Sequence, residues 1–407
     1  MAGKNNILYI SYLGMSEAIP KSQVLPYLLR LAEDYNIHLL SFEKKELIKN
    51  NYAEFKNLER QLKENGITWH KLRYHKNPKI VSSFFDIFIG TVYAFYIIIR
   101  YRVSIVHARS NVPIAVGFIL KMFTRIKLLY DRRGIMAKDH IEHSAWKENG
   151  WLYRLAIYFE NMAIKKSDAI VVLSEKMNSY LKDRFKNNNL ITTVPCCIDI
   201  NKFQYSHNAR AELRNKLGLG QKFILVYSGS VGTYNLLDEM FDFFKVLRAF
   251  IADSHFLILT QNKDVVSSLL SKRNDIASGQ VTVMSVPSDD MPLYLSAADA
   301  ALAFRRDSPT AIAASPTKLG EYLACGLPVV SMSKIGDVSE ILTANKIGIT
   351  MESYNEDEYK KAISGLFVLF KEEKTLRQRC RKFAEDLFSL ERGVSLYRQI
   401  YDSLTKK

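Results

Sequence analysis

Lys318 and Glu321 stand three residues apart in Ser315–Val330 (SPTKLGEYLACGLPVV), the segment of the chain with the clearest chemical signal. Pro316 and Thr317 predict the start of a short helix, and a helix N-terminus attracts phosphate. Lys318 falls in the first turn and adds a full positive charge there. Glu321 comes one turn later on the same face and suits the two hydroxyls of a ribose. Gly326 and Pro328 then end the helix and launch a strand. The plain alternative for this segment is a helix–strand joint without chemistry. Arg305 and Arg306 follow an apolar strand, Ala300–Phe304, and are further candidates for meeting phosphate charge; solvated loop charge is their alternative. Gly229 and Ser230 follow another strand, Phe223–Tyr227.

The first half offers other candidates. Tyr9–Gln23 runs from a strand into a helix and holds Gly14, with Lys21 and Ser22 expected at the helix start. His107 and Arg109 lie at one strand end, Asp131 and Arg133 at another. Asp131 could position or deprotonate a hydroxyl, or it could pair with Arg109 or Arg133 as structure. Asp139, His140, Glu142 and His143 read as solvated helix residues, because a third metal ligand is not evident. No metal site is expected.

The elements that must position these residues alternate along the chain. Asn6–Ser11, Ile37–Ser41, Thr68–Leu72, Ser104–His107, Lys127–Tyr130 and Ala169–Leu173 read as short strands. Helical stretches separate them, including Gln23–Leu31, Ser82–Tyr101, Val112–Phe123 and Gly150–Lys166. Such alternation predicts a parallel sheet covered on both faces. The pattern lapses near Pro195–Gln221 and restarts at Phe223. The fold class is therefore α/β, with two facing Rossmann-like domains, residues 1–196 and 197–388. A last helix within 389–407 is placed to cross back onto the first domain. Ligands in such sheets bind beyond the carboxyl ends of the strands, which predicts a cleft with a site from each side.

Five segments together resemble the family 4 retaining glycosyltransferases, which have the GT-B fold. Lys318–Val330 resembles the family's helix start, glutamate and A-x-G-x-P-V-V run. Ser167–Ser174 is similar to its A-D-x-V-I-x-x-S strand, and Val194–Phe203 to its V-P-N-G-V-D-x-x-x-F link, with Cys197 in place of glycine. Tyr227–Gly232 is similar to its loop under the donor phosphates, and Tyr294–Asp299 to its Y-x-x-x-A-D helix. Members that build bacterial polysaccharide or lipopolysaccharide are the nearest in pattern. The resemblance implies transfer of a sugar from a nucleoside diphosphate sugar, the co-substrate, to a hydroxyl of a glycan or lipid-linked acceptor. It implies retention, no covalent enzyme nucleophile, no cofactor and no metal. It places Glu321, Lys318, Gly229 and Ser230 at the donor, with Gly14 and Ser22 from the first domain; Thr317 and Arg305 join them by their positions at a helix start and a strand end. His107, Arg109, Asp131 and Arg133 become the candidate catalytic group. Besides Cys197, further positions depart from the pattern: Ala313 replaces a second glutamate, Ser230 and Asn235 stand where arginine and lysine are usual, and Asp131 stands near where many members place a histidine. A GT-B epimerase or hydrolase is the alternative enzyme.

Composition narrows the classes further. The 407 residues carry a formal charge of +15, and residues 1–200 hold 30 Lys+Arg against 18 Asp+Glu. A basic first half predicts an anionic partner such as a membrane surface. No nucleic-acid-binding module is recognisable, so nucleic acid is not expected. The four cysteines lack C-x-x-C spacing and predict reduced thiols in the cytoplasm. No fixed-period repeat and no signal peptide is read. Ile87–Ile99 is uncharged but shorter than the roughly 20 residues of a spanning helix. It is expected either to be core or to dip into the headgroup layer. His70–Lys79, with four Lys/Arg and no acid, precedes it. Together these features predict a cytoplasmic protein, peripheral on the inner face of the cell membrane.

Overall fold

The computed structural model describes residues 4–75, 77, 79–135, 150–185, 190–232 and 235–406. Lys76 and the group Asp139, His140, Glu142 and His143 lie outside them. The chain divides into two compact units, Met1–Pro195 with Leu390–Lys407, and Cys196–Ser389.

The first unit is built on β1 (Asn6–Ser11), β2 (Asn36–Glu43), β3 (Thr68–Arg73), β4 (Ile105–Arg109), β5 (Lys127–Asp131), β6 (Ala169–Val172) and β7 (Leu190–Thr193), all parallel, in the order β3-β2-β1-β4-β5-β6-β7. Its helices are α1 (Ala18–Gln23), α2 (Leu25–Leu31), α3 (Lys45–Asn50), α4 (Tyr52–Glu64), α5 (Lys79–Tyr101), α6 (Asn111–Phe123), α7 (Trp151–Lys166) and α8 (Glu175–Phe185). The central strands are buried on both faces, which is why most of their residues are apolar. Strand order reverses direction after β3. Right-handed crossovers therefore put α2 and α4 on one face of the sheet and α5 to α8 on the other.

Two elements differ from the sequence reading. The helix expected over Gln23–Leu31 is two short helices that break at Val24, and Pro26 sits in the first turn of the second. Proline is tolerated there because the N–H it lacks has no partner in a first turn. The helix around the apolar stretch is longer than expected, 23 residues from Lys79 to Tyr101.

The second unit has β8 (Phe223–Ser228), β9 (Ser254–Leu259), β10 (Val281–Met284), β11 (Ala300–Ala303), β12 (Val329–Met332) and β13 (Gly348–Met351), again all parallel, in the order β10-β9-β8-β11-β12-β13. Around it lie α9 (His207–Lys216), α10 (Leu237–Phe250), α11 (Lys263–Leu270), α12 (Met291–Ala297), α13 (Thr317–Ala324), α14 (Val338–Ala344), α15 (Glu356–Phe370) and α16 (Glu373–Phe388). Phe241, Phe243, Phe244 and Phe256 fill the core beside β8 and β9. Asp299 stitches three segments. It accepts from the Ile224 amide at 2.7 Å and pairs with Arg210 at 2.5 Å and Arg214 at 2.6 Å.

The last helix, α17 (Leu390–Thr405), belongs to the first unit. Leu390, Gly393, Val394, Tyr397, Ile400, Tyr401 and Leu404 form its buried stripe at helical spacing. It packs on α2, and so on the sheet face opposite α5.

Candidate active site

In the second unit α13 starts at Thr317 and has no side-chain cap at its N-terminus. Its far end is closed tightly. The Leu327 amide donates to the Tyr322 carbonyl at 2.9 Å, the Gly326 amide donates to Leu323 at 2.9 Å, and Gly326 has φ +72°. That pattern needs a left-handed residue, and glycine adopts it without penalty. Tyr322 ties the helix to the sheet: its hydroxyl accepts from the Ser228 amide at 2.7 Å. The first turn of α13 is thereby held beside the carboxyl end of β8.

There Lys318 reaches over the sheet edge. Its Nζ lies 4.1 Å from the centroid of the Tyr227 ring, a cation–π contact. The same Nζ is enclosed and has no hydrogen-bond partner among the described residues. A Cβ placed on Gly229 would lie 3.0 Å from that Nζ, and Gly229 has φ +130°. Glycine is thus required twice, for the backbone turn and for the approach of the ammonium. Burial lowers the Lys318 pKa to about 7; Glu321 works against the shift, and Arg305 adds to it. Burial raises the Glu321 carboxyl to about 7, against the pull of Lys318 and Lys202. An ammonium and a carboxylate desolvated this far without full pairing form an incomplete arrangement. An anion with hydroxyl donors nearby would complete it.

Arg305 follows β11, and the Tyr354 hydroxyl clasps its backbone, accepting from the amide at 3.1 Å and donating to the carbonyl at 2.8 Å. Arg306 is exposed. Ser230 closes the β8 loop through its carbonyl, which accepts from Asn235 Nδ2 at 2.8 Å and from the Tyr227 hydroxyl at 2.5 Å. Thr317, Lys318, Glu321, Gly229, Ser230 and Arg305 therefore gather at one sheet edge.

The first-unit candidates form a different picture. Side-chain alternation puts His107 and Arg109 on one face of β4, and the register sets Arg109 beside Asp131. Asp131 is fully buried. Its carboxylate accepts from Arg133 at 2.8 Å and from His107 and Arg109 at 3.3 Å each. Burial alone would raise the Asp131 pKa, but Arg133, His107 and Arg109 outweigh it and hold the carboxyl far below the usual range. Burial lowers His107, with Asp131 opposing. Two tyrosines of α17 close the network, Tyr401 at 2.7 Å from His107 Nδ1 and Tyr397 accepting from Arg133 at 2.8 Å. A carboxylate so enclosed and so strongly paired is a poor proton acceptor. Of the two roles left open for Asp131, the geometry favours structural pairing, and the same enclosure argues against direct chemistry by His107.

Ser22 is placed otherwise than expected, and the amides at Gly14 and Met15 are partnered within the first unit. The Gly14 amide donates to the Glu17 carboxylate at 2.9 Å, and the next amide, Met15, donates to buried Glu43 at 2.9 Å. Those amides already have anionic partners. Ser22 is near the end of α1 rather than at a helix start, and its hydroxyl donates to the Ala18 carbonyl at 3.1 Å. Lys21 pairs with Glu54.

Sequence models of two families match the chain. "Glycosyltransferase Family 4" covers residues 30–202 and "Glycosyl transferases group 1" covers 209–386. The chain belongs to the family 4 glycosyltransferases. Solved structures of similar fold include HepE of Anabaena in complex with UDP and glucose, at 15% identity and TM-score 0.73, covering 99% of this chain and 100% of that one. Sucrose-phosphate synthase from Thermosynechococcus elongatus aligns at 15% identity and TM-score 0.71, over 99% and 100% of the two chains. WaaG, a glycosyltransferase involved in lipopolysaccharide biosynthesis, aligns at 12% identity and TM-score 0.66, over 96% and 99%. These likenesses show the GT-B fold. Comparison with curated protein sequences returns no match.

In this glycosyltransferase the departures from the family pattern have structural counterparts. Ala313 is buried in a short turn with no carboxylate to offer, and Asn235 closes a loop by hydrogen bonding. Tyr227, Tyr322 and Lys202 are not among the residues that the sequence singles out as donor candidates. The polar ends of the two tyrosines matter only because β8 and α13 meet. Lys202 lies within the Val194–Phe203 link, whose family likeness was the available signal. Among the described residues no three His, Cys, Asp or Glu side chains gather as metal ligands.

Proposed function

We propose that this glycosyltransferase moves a sugar from a nucleoside diphosphate sugar to a hydroxyl of a glycan or lipid-linked acceptor, with retention, in the assembly of bacterial polysaccharide or lipopolysaccharide. The observation that carries the donor assignment is the enclosed Lys318 ammonium, held over Tyr227 with no hydrogen-bond partner beside an uncapped helix start. A diphosphate supplies the missing acceptor oxygens. Glu321, one turn on, takes the ribose hydroxyls. As the sugar leaves, charge grows on the diphosphate, and Lys318, the α13 amides and Arg305 stabilise it. The rest of the work is positioning of the acceptor hydroxyl. The UDP bound by HepE and the lipopolysaccharide role of WaaG support the donor and pathway classes. A thermal-shift panel of UDP, GDP, dTDP and CMP sugars tests the donor. Stabilisation by one nucleotide family, lost in Lys318→Met, is expected; no shift with any of them defeats the reading.

Donor affinity should depend on pH with two limbs. A bound diphosphate favours protonated Lys318, whose pKa in the empty protein is about 7. Above that pH binding must take up a proton, so affinity falls as pH rises. Ribose hydroxyls favour ionised Glu321, also near 7 when empty, so affinity falls as pH drops below it. Calorimetry in buffers of different ionisation enthalpy should show proton uptake on the alkaline limb. Lys318→Met should remove that uptake. Proton uptake that persists in this variant would assign the titration elsewhere.

Transfer is also expected to continue in EDTA. Activity that disappears with chelator and returns with manganese or magnesium would refute that expectation.

A further inference from the structure

Helix α5 carries two unlike faces. Its inner face lies on α6 and the sheet, with Ala94, Ile97 and Ile98 buried and Gly90 close against Phe42; a Cβ on Gly90 would meet that ring at 2.9 Å. Asp86, the one acid of the helix, is also turned inward, where it accepts from the Tyr12 hydroxyl at 2.8 Å and pairs with His75 at 2.6 Å. The outer face is apolar and open. Phe84, Phe85, Phe88, Val92, Tyr96 and Ile99 recur at helical spacing, with Phe88 66% and Ile99 63% exposed. This row falls in a sector about 120° wide and runs about 22 Å along the axis. Soluble surfaces seldom leave so continuous an apolar row uncovered.

Charge says what covers it. The first unit holds 34 Lys+Arg against 19 Asp+Glu, and the second holds 23 against 23. The whole +15 therefore falls on the unit that carries the exposed row. At one end of α5 lies exposed Arg73 of β3, and at the other exposed Arg100 and Arg102. On the same side of the sheet the end of α6 exposes Met122 and Phe123, the latter 74%.

We infer that α5 docks this unit on an anionic lipid bilayer, lying in the headgroup layer with its Phe and Tyr side chains inserted and its flanking arginines on lipid phosphates. By length and composition Val81–Tyr101 is sufficient to cross a membrane. Crossing would tear the helix from α6 and expose Asp86 to hydrocarbon, so it lies along the surface instead. The inference stands independently of the donor reading, because its test measures binding and not transfer.

The full chain is sedimented at low salt with vesicles of phosphatidylcholine and phosphatidylglycerol, and with phosphatidylcholine alone. The expected result is pelleting with the anionic vesicles and release by salt. Serine at Phe88, Val92 and Tyr96 together, all exposed positions, should weaken partitioning at least about tenfold while circular dichroism stays unchanged. Light scattering without lipid should show the same molar mass for both proteins. Wild-type protein left in the supernatant with anionic vesicles overturns the inference. A lipid-free dimer that the triple variant dissolves also overturns it, by assigning the face to a second copy of the chain.

Discussion

Lys318→Ala and Glu321→Ala are each expected to lower kcat/KM by about tenfold to a hundredfold or more while the protein stays folded. Both side chains sit on the first turns of α13, whose position is set by Tyr322 on Ser228 and by the Gly326 turn, not by Lys318 or Glu321 themselves. Each change removes a charge-assisted contact to the donor, worth about 1.5–3 kcal/mol in binding. Lys318 should lose more in turnover than in affinity, because its charge matters most when the diphosphate departs. The unliganded proteins supply a second readout. Lys318 Nζ is enclosed without a hydrogen-bond partner, so the empty protein carries the cost of its desolvation. Lys318→Met should therefore raise the melting temperature of the empty protein and abolish its stabilisation by nucleotide. A structural lysine would show the reverse, a lower melting temperature. Near-wild-type kinetics for both alanine variants with the true donor would remove this site.

The other large effect is on stability. Asp131→Asn should cost the first unit about 3–5 kcal/mol, because it leaves two buried guanidiniums without their shared anion. Arg133 contacts the carboxylate at 2.8 Å and Arg109 at 3.3 Å, and the amide that replaces it offers no charge. The loss should reach α17, since Tyr397 and Tyr401 bind the same network through Arg133 and His107. Urea unfolding followed by circular dichroism measures it. Tyr401→Phe removes one neutral hydrogen bond and should cost only about 1 kcal/mol. If Asp131→Asn unfolds like the wild type yet cannot transfer sugar, the aspartate acts on substrate and the structural role is wrong. The pH dependence separates the roles too. A carboxyl held far below its usual range contributes stability above its unfolded pKa, and that contribution is lost only in strong acid. No activity limb near neutrality should therefore disappear in the variant.

Much of this was legible in the chain itself. Short apolar runs between helical stretches specify parallel strands buried on both faces, because only such strands tolerate apolar residues at every position. The restart at Phe223 marks a second sheet, and the spacing of Lys318 and Glu321 puts both on one helix face whatever surrounds them. Gly326 and Pro328 end that helix through their own backbone limits. These signals are local: propensity, periodicity and turn chemistry act within a few residues.

Tertiary structure decided the rest. Asp131, Arg109 and Arg133 fit a catalytic group or an ion cluster equally well in the sequence; the sheet register and the return of α17 enclose them in one paired network, which favours the latter. Gly14 looked ready for phosphate until Glu43, 29 residues on, took the neighbouring amide. Lys318 became unusual only when β8 brought Tyr227 beneath it and Gly229 beside it. The apolar run of α5 gave no direction, since nearly every position is hydrophobic. Packing on the sheet chose which face to bury and left the other one open. Burial, protonation and exposure depend on which distant segments meet, and no short window of sequence contains those partners.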